Sequence, residues 1–483
     1  MGLFDLGRNE LNSAEATSFF IAKLDWEDTW TSLSTSEANG SPFYLLLHFW
    51  SKLGDTEFIL RILPLLFGVA TPVLLYLLVK RLFGPWYGLG AAGLLAVNAF
   101  FVSHMQNLRS YSMSAFLATV ATLLFVKVIE DRTRLALVGY ALTGTLLVYT
   151  HFFGAMVLLV HALSLLLLEK GKAPRMALLG AFGAMAVLLV PAGVFTLSSD
   201  VGQIDWIPEL SGHRVRLGLG ELAGLGGNVQ LALYGVLSAM AVVLALRFRQ
   251  QARGSRLSWV TGLIVMWLLL PLIASILISF AKPVFEARYL LITLPPLATC
   301  AVLALGSIRK QTLVAAAFVL TAALTASQLP GWYADFNEPE WGNRADVVFQ
   351  EGTPDDGIIF YAPPIIRPFG YHYGFYTSDV VHPEIIYPGK NWLGYSRTEY
   401  EPPLIPIVKA ATEHERVWLV LGADKDEERQ VEERELITTL TLACGNPTRT
   451  WFHKELALFE DCVGGTDFSR APHLGPAGGR APG

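Results

Sequence analysis

Five charged side chains are set around the apolar runs of this chain in a way that could do chemistry. Glu10 and Glu15 lie in Arg8-Asn9-Glu10-Leu11-Asn12-Ser13-Ala14-Glu15-Ala16-Thr17, ahead of the first apolar run. Arg61 stands at the mouth of that run, Arg109 in Gln106-Asn107-Leu108-Arg109-Ser110-Tyr111-Ser112, and Arg288 in Glu286-Ala287-Arg288-Tyr289. An oriented carboxylate can take a proton from a hydroxyl. A guanidinium suits phosphate, because its planar fork makes paired, charge-assisted hydrogen bonds. Arginines from distant positions, brought to one membrane face, can converge on an anionic headgroup. Gly40-Ser41-Pro42-Phe43-Tyr44-Leu45-Leu46-Leu47-His48 reads as a short helix able to lie at a membrane surface just before Arg61. Together these features point to an enzyme working where lipid headgroups meet water. Tyr44, His48, Gln106, Tyr111, His151 and Tyr289 accompany them as substrate-cavity candidates, although a lone histidine is as readily a structural hydrogen-bonding group.

The elements that must position these residues are membrane spans. Of the 483 residues, 53% are hydrophobic and only 16% charged, and the mean hydropathy is +0.44. That is too apolar for a soluble globular chain. A helix needs about 20 mostly apolar residues to cross the hydrocarbon core. About ten stretches approach that criterion, near 58–79, 86–103, 110–126, 135–149, 152–168, 176–197, 229–246, 257–280, 289–305 and 312–328. A polytopic α-helical membrane protein is predicted. The net charge of −5 leaves no basic footprint for nucleic acid.

Lys and Arg collect in alternate loops: Lys80 and Arg81; Lys127, Arg132 and Arg134; Lys170, Lys172 and Arg175; Arg247, Arg249, Arg253 and Arg256; Arg309 and Lys310. Short cytoplasmic loops retain positive charge, so the remaining loops, and everything after Leu329, are expected outside a plasma or inner membrane. Residues 1–57 then form a first extracytoplasmic segment rich in acids but without a spanning run of its own. A preceding span is expected to be missing from the start; insertion of the following helix unaided is the alternative.

After Pro330 the sequence turns charged, Pro-rich and aromatic. A second domain is expected over 330–462, with a helix at 340–350, a turn at Pro354-Asp355-Asp356-Gly357, and strands at 357–362 and 416–421. A helix at 424–442 and a closing strand or hairpin at 449–460 complete it. Alternating strand and helix argues for a small α/β layer. The tail at 463–483, rich in Gly, Pro and Ala, is expected to be disordered. Cys300 falls within a span, whereas Cys444 and Cys462 lie in the second domain, where a bridge or two free thiols both fit. No metal-ligand spacing occurs in the loops between spans, Asp424-Lys425-Asp426 lies in a run read as a solvated helix face, and no cofactor is implied. Trp206 and Trp341 could stack on sugars, although interfacial tryptophan belts are the commoner explanation.

The run from Gly40 resembles the first outer loop and following helix of the C-type glycosyltransferase superfamily, specifically the family 39 group of protein mannosyltransferases and aminoarabinose transferases. There a His/Lys-Pro-Pro-Leu-Tyr stretch leads into Gly-x-(Ser/Thr)-Glu-x-x-x-Arg; here the second element reads Gly54-Asp55-Thr56-Glu57-Phe58-Ile59-Leu60-Arg61. Glu15-Ala16 resembles the end of that group's Asp-Glu-Ala element, with Ala14 where many relatives carry an Asp that acts as the base. Gln106 to Ser112 is similar to its Gln-Glu-Ala-Arg-x-Tyr element, with Asn107 in place of the acid. Arg288-Tyr289-Leu290, followed by Leu294-Pro295-Pro296, is similar to its Arg-Tyr-Leu pattern with a following Pro, and Glu340-Trp341 carries a general likeness into the outer domain. The resemblance implies an inverting transfer of sugar from a polyprenyl-phosphate donor to an extracytoplasmic glycan, lipid or protein acceptor. Glu15, or second Glu10, would be the base, and Arg288 with Arg109 or Arg61 would hold the departing phosphate. A lipid-linked sugar transporter or flippase, and a catalytically inactive envelope scaffold, are the competing readings. Coupled transporters place ionisable groups mid-span, and these spans hold essentially none beyond His161.

Overall fold

The computed structural model describes residues 2–35, 37–169, 171–198, 207–225, 227–334, 341–361, 365–377, 380–389, 404–422, 427–452 and 455–462. Its contacts divide the chain into two compact units, Met1–Glu338 and Pro339–Gly483.

The first unit begins with three short helices, α1 (Ser13–Lys23), α2 (Trp26–Thr35) and α3 (Ser41–Trp50). A capping box starts α1: the Asn12 side chain accepts from the backbone of Glu15, and the Glu15 side chain accepts from the backbone of Asn12. Gly40, at φ +111°, turns the chain into α3, with Pro42 in the first turn where its missing N–H costs nothing. Next comes α4 (Glu57–Phe83), capped by Thr56. Leu66, Val69, Val73 and Leu77 form its exposed stripe, while Leu60, Leu75 and Leu78 are buried. That is the pattern of a helix with one face toward lipid.

The remaining helices are α5 (Pro85–Ala96), α6 (Ala99–Met105), α7 (Tyr111–Glu130), α8 (Arg134–Thr150), α9 (Gly154–Ser164), α10 (Arg175–Leu188), α11 (Val190–Ser198), α12 (Gly212–Leu222), α13 (Asn228–Gln251), α14 (Arg256–Ser279), α15 (Leu294–Gly306), α16 (Gln311–Ala326) and α17 (Leu329–Ala334). Among the described residues, six helical segments are long and apolar enough to cross a membrane, or seven if α5 and α6, bent by 67°, make one span. The expected ten are fewer by this measure because three apolar helices are short: α8, for example, has 17 residues and rises only about 25 Å. The α7 and 287–306 segments are 78% and 83% buried, so they form the centre; α13 and the 311–334 segment, at 22% and 17%, lie at the periphery.

Several of the positively charged loops meet at one end of this bundle. Glu130 accepts from Arg81 and from Arg256, each at 2.7 Å, and Arg81 also pairs with Asp131. Arg132 reaches the carbonyl of Lys172, and Lys172 that of Gly254. His161, the one ionisable group noted mid-span, is fully buried, bonded to Thr122 and Tyr140 and stacked on Phe125, which accounts for it structurally.

The second unit is a five-stranded sheet with helices α18 (Trp341–Glu351), α19 (Ile366–Tyr373), α20 (Leu404–Ala411) and α21 (Glu427–Cys444). Its strands, β1 (Gly357–Phe360), β2 (Glu384–Tyr387), β3 (Val417–Val420), β4 (Arg449–Trp451) and β5 (Leu456–Phe459), lie in the order β2-β1-β3-β5-β4. The β2-β1-β3 part is parallel and the β3-β5-β4 part antiparallel. Asp356 fixes the turn before β1: it accepts from the amide and hydroxyl of Thr353, and from the Trp418 indole at 2.8 Å. Leu419, Phe459, Leu436 and Leu440 pack a core between sheet and helices. Cys444 and Cys462 are disulfide-bonded, with Cα atoms 4.1 Å apart. Trp206, the run Asp424-Lys425-Asp426 and the tail at 463–483 lie outside the described residues.

Candidate functional site

The residues singled out in the sequence separate into two groups at the end of the bundle opposite the Arg81–Glu130–Arg256 cluster. The first is a closed ion pair. Arg61, one turn into α4 and 4% exposed, reaches Glu15, 2% exposed, through Nε to Oε1 at 2.8 Å and Nη2 to Oε2 at 2.9 Å. Its remaining N–H groups donate to the carbonyls of Leu6, Asn9 and Glu10. A guanidinium has five donors, and all five are spent on this protein. Glu15 also accepts from the Leu108 amide at 2.8 Å and from the Asn12 amide and side chain. This corrects two expectations. Glu15 offers no open lone pair to an acceptor hydroxyl, and Arg61 has no donor left for phosphate. The pair folds residues 6–15 onto the head of α4 and pins the 106–109 loop. Glu10 contributes its carbonyl to this knot.

The second group is an aromatic and cationic cluster. A break at Asn98 builds it: the side-chain oxygen caps α6 at Phe101, and its amide nitrogen donates to the carbonyl of Leu222 at the end of α12. The bent α5–α6 pair therefore delivers the loop carrying Arg109 to the mouth of the bundle. Arg109 Nη1 contacts the Ala14 carbonyl at 3.2 Å, Ser18 Oγ at 3.2 Å and Tyr44 Oη at 3.1 Å. Arg288, at the start of the 3-10 turn Ala287–Thr293, lies 3.6 Å from Glu286 and over the Tyr289 ring. Between the arginines sit Tyr111, His151 and Tyr289, with ring centres 6.0 Å (Tyr111–His151), 4.8 Å (His151–Tyr289) and 6.3 Å (Tyr111–Tyr289) apart.

His151 caps the end of α8 in extended conformation and is 4% exposed. Burial, with the charges of Arg109 and Arg288, pushes its pKa down to about 3, so the ring is neutral at ordinary pH. Its Nδ1 accepts from the Phe153 amide, which places the proton on Nε2. That buried Nε2–H has no partner among the described residues. A buried unpaired donor between two arginines is what an anionic or hydroxyl-rich ligand would satisfy.

Two other candidates fall outside this cluster. His48 packs edge-on against Trp26 and Phe49. Gln106 is committed to structure: it donates to the carbonyls of Gly2 and Phe4 and accepts from Trp332. Near Arg288, Glu286 also pairs with Arg214 at 3.3 Å. The pKa of Glu221, on α12, is raised by burial and by the charge of Glu286. No group of three or more metal-binding side chains occurs among the described residues.

The family model for dolichyl-phosphate-mannose-protein mannosyltransferases matches residues 42–195. The crystal structure of ArnT from Cupriavidus metallidurans in the apo state matches with a TM-score of 0.65 at 13% identity, over 96% of this chain and 97% of that one. The chain shares the fold of this ArnT structure. ArnT from the same organism, bound to undecaprenyl phosphate, matches this fold over the same shares with a TM-score of 0.59 and 13% identity. No curated relative matches by sequence.

Two residues beside Arg109 were not singled out in the sequence: Ser18, bonded to it directly, and Glu37, joined to it through the Tyr44 hydroxyl. Ser18 stands one helical turn after Ala14 on α1, a spacing that places both beside Arg109. Glu37 is followed by Ala38, as Glu15 is by Ala16, and stands just ahead of the Gly40 turn into α3. The signal that Glu15 is structural was also present, since Asn12-x-x-Glu15 is a capping-box spacing.

Proposed function

We propose that this protein is an inverting glycosyltransferase that moves a sugar from a polyprenyl-phosphate donor to an acceptor on the extracytoplasmic face of a cell membrane. Arg288 and Arg109 hold the donor phosphate. Tyr111, His151 and Tyr289 line the place of the transferred sugar, with the neutral His151 Nε2–H donating to a phosphate or sugar oxygen. Arg61 and Glu15 are the scaffold that holds the Arg109 loop. The observation that carries this reading is the pair of arginines facing one buried, unpaired imidazole donor across a tyrosine-lined mouth. As the phosphate departs its charge grows, and fixed guanidinium donors already in place stabilise that state without reorganising.

The competing transporter reading loses support because His161 is fully bonded inside the bundle. The test is binding of undecaprenyl phosphate to purified protein in nanodiscs. Arg288→Ala is expected to weaken binding more than Arg288→Lys, which keeps the charge but loses the fork. Equal affinity in wild type and both variants would reject Arg288 as a phosphate ligand.

A further inference from the structure

Transfer to a hydroxyl needs a carboxylate that can reach the acceptor, and Glu15 is sealed in its ion pair. Glu286 is shared between Arg214 and Arg288. Among the described residues, Glu37 connects to Arg109 through Tyr44. The Tyr44 hydroxyl donates to Glu37 Oε2 at 3.3 Å and accepts from Arg109 Nη1 at 3.1 Å, giving a chain Glu37–Tyr44–Arg109. Glu37 is half-buried, whereas Glu15 is enclosed.

The short segment that carries Glu37 is docked onto the site. Gly40 donates its amide to the Tyr149 carbonyl at 2.9 Å, and Asn39 Oδ1 accepts from the Phe152 amide at 3.1 Å. Those two anchors flank His151. The loop therefore brings Glu37 to the rim of the cluster formed by His151, Tyr111 and Tyr289, from a different part of the sequence than Glu15.

We infer that Glu37, held through Tyr44 against Arg109, is the base that takes the acceptor proton; this inference rests on the glycosyl-transfer reading above. In the step, the acceptor O–H proton passes to the Glu37 carboxylate as its oxygen bonds to the anomeric carbon. The bond from that carbon to the phosphate oxygen breaks, its electron pair leaving with polyprenyl phosphate on Arg109 and Arg288. Tyr44 keeps Glu37 in register with Arg109, and the proton afterwards returns to solvent from the rim.

The experiment uses the full chain in nanodiscs with a panel of synthetic undecaprenyl-phosphate sugars, following release of undecaprenyl phosphate with water and with envelope extract as acceptors. Glu37→Gln should lower turnover about 10²- to 10⁴-fold, the range for a lost general base, and flatten the acid limb of the pH–rate profile. Glu37→Asp should stand about tenfold or more above Glu37→Gln, because it keeps a carboxylate. Affinity for undecaprenyl phosphate should stay within about twofold of wild type in both, which also shows that the variants fold. Turnover of Glu37→Gln close to wild type overturns the inference, as does an Asp variant no better than Gln. Loss of lipid-phosphate binding in step with turnover overturns it too, since Glu37 would then only position Arg109. A wild-type protein that binds undecaprenyl phosphate but releases none from any donor fails the underlying reading as well, and is told apart from the other outcomes by that control.

Discussion

Glu15 and Arg61 illustrate how residue type and spacing can suggest chemistry where the surroundings forbid it. A carboxylate and a guanidinium near a membrane mouth read as base and phosphate clamp. Their hydrogen bonds, once traced, are all internal. Breaking such a pair strands a buried charge, so Arg61→Ala should lower unfolding stability by about 3–5 kcal/mol. The Glu15→Leu/Arg61→Met double variant should lose much less, because neither charge is left unpaired. Denaturation of the purified protein in detergent measures this, and an Arg61→Ala protein as stable as wild type would place the pair on the catalytic side after all. By contrast Arg109, Tyr111 and Tyr289 were legible from their motifs and come together. Glu37 was hidden because its role depends on where the Gly40 turn docks, a contact between segments more than a hundred residues apart.

At the level of elements, the site depends on two local irregularities in otherwise regular helices. Asn98 breaks a span and restarts it as α6, and Gly40 turns the chain into α3 at φ +111°. The apolar runs were readable from composition, but the bend was not, because Asn98 reads as one polar residue inside a continuous apolar stretch. The turn is open to a simple test. A Cβ at position 40 would approach the Tyr44 ring to 3.1 Å in a backbone conformation that side chains disfavour, whereas nothing lies within 4 Å of one at Gly93. Gly40→Ala should therefore cost about 1–2 kcal/mol and lower donor turnover by loosening Tyr44, while Gly93→Ala should be neutral or mildly stabilising. Thermal unfolding and turnover of the two variants check this. Equal behaviour of both would show that the Gly40 turn does not matter to the site.

On the scale of the whole molecule, the chain joins an apolar helical unit to an α/β unit closed by the Cys444–Cys462 bond. The alternation of strand and helix in the second unit was legible in the sequence. Strand β2 was not, since the four residues Glu384–Tyr387 gain their identity only by pairing with β1. In the first unit, the arginine- and lysine-rich loops close one end with ion pairs, and the Arg109–His151–Arg288 cluster occupies the other. That separation of a charge-clasped end from the arginine cluster is what the proposed transfer on one leaflet requires. In the proposed reaction, the bond between sugar and lipid phosphate is broken at this cluster. Its most direct test is to reconstitute the wild-type protein in liposomes with radiolabelled undecaprenyl-phosphate sugars and envelope acceptors. Undecaprenyl phosphate should be released, and the label should appear on an acceptor with inverted anomeric configuration. Recovery of every donor intact, whether moved between leaflets or simply retained, would contradict it.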